Sequence, residues 1–291
     1  MMKISTDNGT LRNLVGDMEA LRMIREAGFD GVDFTFYDPA PEHDILSLPD
    51  EERRALALKL KAYADELGLT FPQAHAPYYT QPGEGPESKN YQDVVKSIEF
   101  AALLGCPQIV VHTLKFPGAP YGFDIDEPNR AFMLSLLPYA EKHGIDIGVE
   151  NLYCADRKRG CYTGQHGTPE GMNAFVDSLN SPRFKVCCDL GHAAIVGVEP
   201  QDFIRGMDAK RLTMLHVHDT DYRSDSHVLP YMGKQDWKAI AKSLTEIGFE
   251  GYFNLEALFF YEMFPVELMP SALKLAADVA RQVADMVEAA K

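Results

Sequence analysis

The sequence predicts a single (β/α)8 barrel spanning residues 1–291. Three observations carry that expectation. Short apolar runs alternate with stretches of helical apolar spacing about eight times, in units of roughly 25 to 45 residues. Glycine recurs where helix gives way to strand (Gly28, Gly68, Gly105, Gly144, Gly248), a place where a left-handed cap favours it, and no Gly-x-Gly-x-x-Gly stretch points to a doubly wound sheet instead. Finally, the runs end in chemistry. Ile109-Val110-Val111-His112, Ile147-Gly148-Val149-Glu150, Val186-Cys187-Cys188-Asp189, Met214-Leu215-His216 and Asn254-Leu255-Glu256 each deliver an imidazole or carboxylate at the C-terminal end. In a closed parallel barrel all those ends open onto one face, so residues distant in sequence converge there.

The elements follow in order. Lys3-Ile4-Ser5 is the first strand, and residues 11–27 show helical spacing through Leu11, Leu14, Val15, Met18, Leu21 and Ile24. Residues 31–34 form the second strand. A helix over 50–67, opened by Asp50 after Pro49, leads to a strand over 69–75. The pattern continues with helix 88–104, a strand ending at His112, helix 127–143, strand 145–150, helix 169–179 and strand 185–189. Helix 200–208, strand 212–218, helix 236–247, strand 251–256 and a last helix from about 266 to 289 complete it. The segments 76–88, 113–126, 151–168 and 219–235 are long loops rich in Gly, Pro and Tyr, all on the face where barrel enzymes build their pockets.

Composition narrows the function class. With 46% hydrophobic and 24% charged residues the chain is ordinary globular material. Its formal net charge of -15 argues against a nucleic-acid partner, because phosphate neutralisation normally needs a basic footprint. The strongest basic run, Arg157-Lys158-Arg159, is read as a solvated loop, with a grip on a substrate phosphate as its alternative. Five cysteines without a Cys-x-x-Cys make no disulfide framework. No signal peptide and no apolar run of spanning length appear, which gives the expectation of a cytoplasmic protein with no membrane partner. A homo-oligomer is left open.

The strand ends together offer His75, His112, Glu150, Asp189 with His192, His216 with His218, and Glu256. Carboxylates and imidazoles crowded at one mouth either bind cations or repel one another. Glu150, Asp189, His216 and Glu256 are the expected divalent-metal ligands. Three carboxylates and one imidazole suit Mn²⁺ first and Zn²⁺ second, with Co²⁺ and Mg²⁺ also fitting. His216 and His218, two apart on one strand, face the same way, and spacing alone does not choose between them. Asp225 and His227 lie in the following loop, within reach of the mouth.

Taken in this order, the motifs resemble the sugar-phosphate isomerase/epimerase and endonuclease IV superfamily, the xylose isomerase-like TIM barrels. The resemblance rests on His75-Ala76-Pro77-Tyr78, Val110-Val111-His112, Val149-Glu150-Asn151, Cys188-Asp189-Leu190-Gly191-His192, Leu215-His216-Val217-His218-Asp219, Asp225-Ser226-His227 and Asn254-Leu255-Glu256, and covers nearly the whole chain. It implies the metal set above and selects His216 over His218, because the ligand histidine stands three before the acidic residue, here Asp219. It implies that His192 touches a substrate oxygen or a second metal. His75, His112, Asp225 and His227 match positions that hold extra metals in the nucleases, and serve with His192 and His218 as candidate substrate-binding residues. One departure is the loop Leu229-Pro230-Tyr231-Met232-Gly233-Lys234-Gln235, where relatives more often carry Pro-Gly-Glu-Gly.

The expected function is a metal-dependent isomerase or epimerase of a sugar or sugar derivative. Glu150 and Glu256 would act as acid and base on a proton α to a carbonyl, through a metal-stabilised enediolate. An elimination or dehydration of a keto-sugar would use the same residues. The alternative is an endonuclease IV-like phosphodiester hydrolase. Aromatic residues after the strands, among them Tyr37, Tyr78, Tyr121, Tyr153 and Phe259, are candidates for a wall against a sugar ring or an attached aglycone.

Overall fold

A computed structural model describes residues 1–116, 123–156 and 161–290. Eight parallel strands form one sheet: β1 (Ile4–Asp7), β2 (Gly31–Thr35), β3 (Thr70–His75), β4 (Gln108–Val111), β5 (Asp146–Glu150), β8 (Phe184–Asp189), β9 (Leu212–His216) and β10 (Phe253–Leu255). Their spatial order is β10-β1-β2-β3-β4-β5-β8-β9. The ends meet just beyond β9, where Val217 N donates to Asn254 O at 2.9 Å and Glu256 N donates to Val217 O at 3.0 Å. That closes the (β/α)8 barrel.

Strand alternation sorts the side chains into two shells. One set (Ile4, Val32, Phe34, Ile109, Val111, Ile147, Val149, Val186, Leu215, Phe253, Leu255) packs in the large core shared with the helices. The alternate set fills the barrel interior. Val110, Cys187 and Met214 make a separate small apolar cluster there. Gly148 makes room for it, since a Cβ at that position would lie 2.4 Å from Met214 Cε. The rest of that layer is polar and hydrogen-bonded across strands: Ser5 Oγ donates to Asn254 Oδ1 at 2.7 Å, and Gln73 Nε2 and Asn254 Nδ2 donate to Asp33 Oδ2 at 2.7 and 2.9 Å. One step further along each strand the interior layer becomes the mouth.

The helices depart from expectation in instructive places. The predicted helix over 11–27 is two, α1 (Gly9–Val15) and α2 (Asp17–Ala27). Gly16 separates them at φ +80°, ψ +164°, a conformation that no helix contains and that side-chain-bearing residues avoid. Next come α3 (Asp50–Leu67), α4 (Lys89–Leu104), α5 (Asp126–His143) and α6 (Pro169–Ser178). They begin and end within a residue or so of the predicted bounds. The short α7 (Leu190–Ile195) was not expected; it starts because the Asp189 carboxylate accepts from His192 N at 2.6 Å, capping it. After α8 (Pro200–Gly206), α9 (Trp237–Glu246) is capped by Asp236, whose carboxylate accepts from Lys238 N and Ala239 N at 3.1 and 3.0 Å. Such a cap contributes about 1 kcal/mol. A further unexpected helix, α10 (Leu258–Glu262), follows β10, and α11 (Met269–Ala289) starts three residues later than predicted, after a 3₁₀ turn at Val266–Leu268, with a proline in its first turn where no N–H is needed.

The segment 151–168, expected to be a loop, instead holds an antiparallel hairpin of β6 (Leu152–Asp156) and β7 (Cys161–Gln165), pairing Leu152 with Gln165 and Asp156 with Cys161. No helix among the described residues is long and apolar enough to cross a membrane.

Candidate active site and metal centre

All of the candidate residues meet at the C-terminal mouth. Asp7, Thr35, His75, His112, Glu150, Asp189, His216 and Glu256 occupy corresponding positions at the ends of the eight strands. Except for His112, which is partly exposed, each is buried.

Glu150 lies at the centre. Its Oε1 is 3.1 Å from His216 Nδ1 and 3.4 Å from His192 Nδ1, while its Oε2 is 2.8 Å from His112 Nε2 and 3.5 Å from His75 Nε2. His216 Nδ1 is also 3.4 Å from Glu256 Oε2. Asp189 faces the same point, its Oδ1 3.1 Å from His218 Nε2. Burial pushes the Glu150 carboxyl up, but His216 and then His112 outweigh it and hold the group well below the usual carboxylate range. Burial drives His112 down to about 4. Burial also disfavours the His227 cation, but its hydrogen bond and attraction to Asp225 prevail and raise it to about 10. Burial first, then the nearby Glu256 and Asp33, raise the Asp7 carboxyl well above the usual carboxylate range.

Whether this site fits a metal is read from its donors. One ligand atom each from Glu150, Asp189, His216 and Glu256 lie within 4.8 Å of one another, and so do groups of His75–His112–Glu150, His75–His216–Glu256 and His192–His218–Asp225–His227. Glu150 Oε2 and Asp189 Oδ2 are buried oxygens without a hydrogen-bond donor. Buried anionic oxygens left in that state are costly unless a cation meets them. The set fits a divalent ion.

The histidines are oriented as ligands usually are, with one ring nitrogen tied down and the other turned to the site. His75 Nδ1 donates to Ala76 O at 2.8 Å, His192 Nδ1 to Asn151 O at 2.9 Å and His227 Nδ1 to Glu256 O at 2.8 Å. A carbonyl only accepts, so each Nδ1 carries a proton and each Nε2 is turned to the mouth. His216 and His218, two apart, separate: the first joins Glu150 and Glu256, whereas the second passes the strand end and stacks on His227, ring centroids 4.0 Å apart. Its room comes from Gly191, where a Cβ would fall 1.9 Å from His218 Cε1.

Asp33 was not singled out from the sequence, and Tyr37, Tyr153 and Asn151 were named there without the hydrogen bonds they make here. Asp33 lies behind His216, its Oδ2 3.5 Å from Nε2. Tyr37 donates from its hydroxyl to Glu256 Oε1 at 3.3 Å, and Tyr153 to Asp225 Oδ2 at 2.9 Å. Asn151 braces Asp189 from both sides, accepting from Asp189 N at 2.8 Å and donating to Asp189 O at 2.9 Å. The signal for Asn151 was present, since it directly follows Glu150. Tyr121 and Arg157-Lys158-Arg159 lie outside the described residues.

The fold and site define a (β/α)8 barrel with a cluster of carboxylates and imidazoles at its mouth that could hold a metal ion. More particularly, residues 21–278 match the family described as xylose isomerase-like TIM barrel, and the chain belongs to that family. An uncharacterized protein of Methanocaldococcus jannaschii, MJ1311, is 28% identical over 165 residues, 55% of this chain and 54% of that one. The chain thus spans about half the length of the curated relatives matched first. Fructoselysine 3-epimerase of Shigella flexneri is 24% identical over 250 residues, covering 83% of this chain and 85% of its own. Among solved structures, a D-tagatose 3-epimerase-like protein superposes with a TM-score of 0.75 at 18% identity, over 99% of both chains, which shows a shared fold.

Proposed function

We propose that the protein is a divalent-metal-dependent epimerase or isomerase of a sugar or sugar derivative, with Glu150 and Glu256 as its acid/base pair. The observation that carries this reading is their placement. Both are buried, both approach His216 Nδ1, and they stand on strands separated by β8 and β9 on one side and by β1 to β4 on the other. A substrate seated between them meets one carboxylate on each face. One glutamate removes the proton α to a carbonyl and the other delivers one, which inverts the carbon or moves the carbonyl. Tyr37 holds the Glu256 carboxylate in its working orientation, and His75, His112, His192 and His227 offer nitrogens to substrate hydroxyls. A divalent ion held by Glu150, Asp189, His216 and Glu256, with Mn²⁺ the first expectation for so oxygen-rich a set, would supply Lewis-acid polarisation of the carbonyl. The sugar-epimerase names among the relatives agree with this reading.

The test is a pair of conservative variants. Glu150→Gln and Glu256→Gln are each expected to lower turnover of a ketose substrate by at least about 100-fold while keeping a cooperative melt. A variant that retained more than about a tenth of the rate would remove that glutamate from the mechanism.

A specific observation favours a second reading, a phosphodiester hydrolase. The three histidines tied through Nδ1 and the extra ligand groups around Asp225 are what a multi-ion centre requires. The charge balance weighs against it, because a -15 chain gains little from neutralising phosphates.

A further inference from the structure

The cavity above the glutamates is larger than a sugar. Its volume is about 630 Å³. A pocket of this size falls in the roughly 300–1,000 Å³ range that takes drug-sized ligands, which leaves space beside a bare monosaccharide. The lining divides accordingly. The ionisable side chains that would handle a sugar project from the strand ends. Most of the remaining described wall comes from the segments after β10, β1, β2 and β3, which are neighbours in the barrel, while Lys115 and Tyr153 contribute from the segments after β4 and β5.

That side carries large apolar side chains open to the cavity. Leu14 of α1, Tyr78 after β3 and Phe259 of α10 line the cavity yet are 50%, 38% and 45% exposed. Leu258 and Phe264 complete the same wall. Phe259 stands edge-on to His227, ring centroids 5.4 Å apart, so the apolar zone begins directly beside the candidate sugar-binding histidines. Large apolar side chains left open to water inside a pocket mark a surface that a ligand covers.

Charge among the described lining residues weighs against a phosphorylated sugar. Asp38, Glu150, Asp225, Glu256 and Glu262 line the cavity, and among the described lining residues Lys115 is the one lysine or arginine. Lys115 is already placed over the Tyr153 ring at 5.7 Å.

We propose that the substrate is a sugar carrying an aromatic aglycone, with the sugar at the glutamates and the aromatic group against Leu14, Tyr78 and Phe259. This deepens the sugar-enzyme reading and rests on it. Flat rings suit the site because two exposed aromatic residues from loops on different sides of α1 can each offer a face or edge to them.

Binding tests the proposal without requiring turnover. With Mn²⁺-loaded protein, phenyl β-D-glucopyranoside is expected to bind about tenfold or more tightly than methyl β-D-glucopyranoside by calorimetry, and glucose 6-phosphate more weakly than either. The phenyl-to-methyl ratio is expected to fall toward one in Phe259→Ala and to shrink in Leu14→Gln, a substitution at a half-exposed position that leaves folding intact. Equal binding of the two glucosides, a ratio unchanged in both variants, or preference for the phosphate would overturn it. Loss of the sugar-enzyme reading has a different signature: the phenyl preference would persist while no free ketose and no keto-glucoside showed metal-dependent proton exchange.

Discussion

At the scale of residues, the site is a ring of strand-end side chains whose charges are balanced only in part by one another. The orphaned oxygens of Glu150 and Asp189 are the places where that balance fails. A chelator-stripped sample is therefore expected to regain stability with Mn²⁺. At a free metal concentration of about 100 times Kd the gain is ~2.7 kcal/mol. For a chain of this length that corresponds to a rise in Tm on the order of 5–10 °C. No shift with any divalent ion, together with no metal by elemental analysis, would remove the metal centre from the account. A second prediction concerns Asp33. Its Oδ2 accepts from Gln73 and Asn254 and faces His216 Nε2, fixing the ring so that Nδ1 points to Glu150 and Glu256. Asp33→Asn is expected to weaken Mn²⁺ binding by about 10- to 100-fold, read by calorimetry on a protein that melts normally; unchanged affinity would reduce Asp33 to a structural role. The sequence made His216 and the glutamates legible because each closes an apolar run. Asp33 and Asp7 were hidden because a lone Asp in a short strand reads as ordinary in–out alternation. Only barrel closure puts one behind His216 and the other beside Glu256.

Among the elements, the strands were the legible part, since buried parallel strands leave uninterrupted apolar runs. Misses concentrated where local geometry overrides periodicity. The spacing of Leu11 to Ile24 reads straight through Gly16, but backbone torsion at that glycine divides the helix. The hairpin of β6 and β7 went unseen because its strands carry no clean alternation of apolar and polar residues. The short α7 was obscured because Asp189 looked fully committed to chemistry, whereas it also caps the helix that positions His192 and Gly191. That double use gives a testable consequence. Gly191 has no unusual φ; it is required because His218 fills the space a Cβ would occupy, and His218 in turn touches Asp189. Gly191→Ala is expected to cost about 1–3 kcal/mol, seen as a lowered Tm, and to weaken metal binding as His218 moves off Asp189. A variant with wild-type Tm would show that the ring has room to move elsewhere.

Considered as a whole molecule, the barrel explains why residues from position 7 to position 256 act in one place, and its charge bears on what they act upon. Family membership is shared by sugar enzymes and by nucleases in the resemblance drawn from sequence, and the ligand-type residues alone do not separate them. The cavity and the net charge of -15 weigh toward a small substrate. The most direct measurement incubates the Mn²⁺-loaded protein in D₂O with a panel of ketoses, aldoses, their phosphates and keto-glucosides, beside a duplex containing an abasic site. The account predicts deuterium at the carbon next to a carbonyl in at least one sugar, dependent on metal and abolished in Glu150→Gln and Glu256→Gln, with the duplex left whole. Cleavage of the abasic duplex at low enzyme concentration, with no exchange into any sugar, would contradict it.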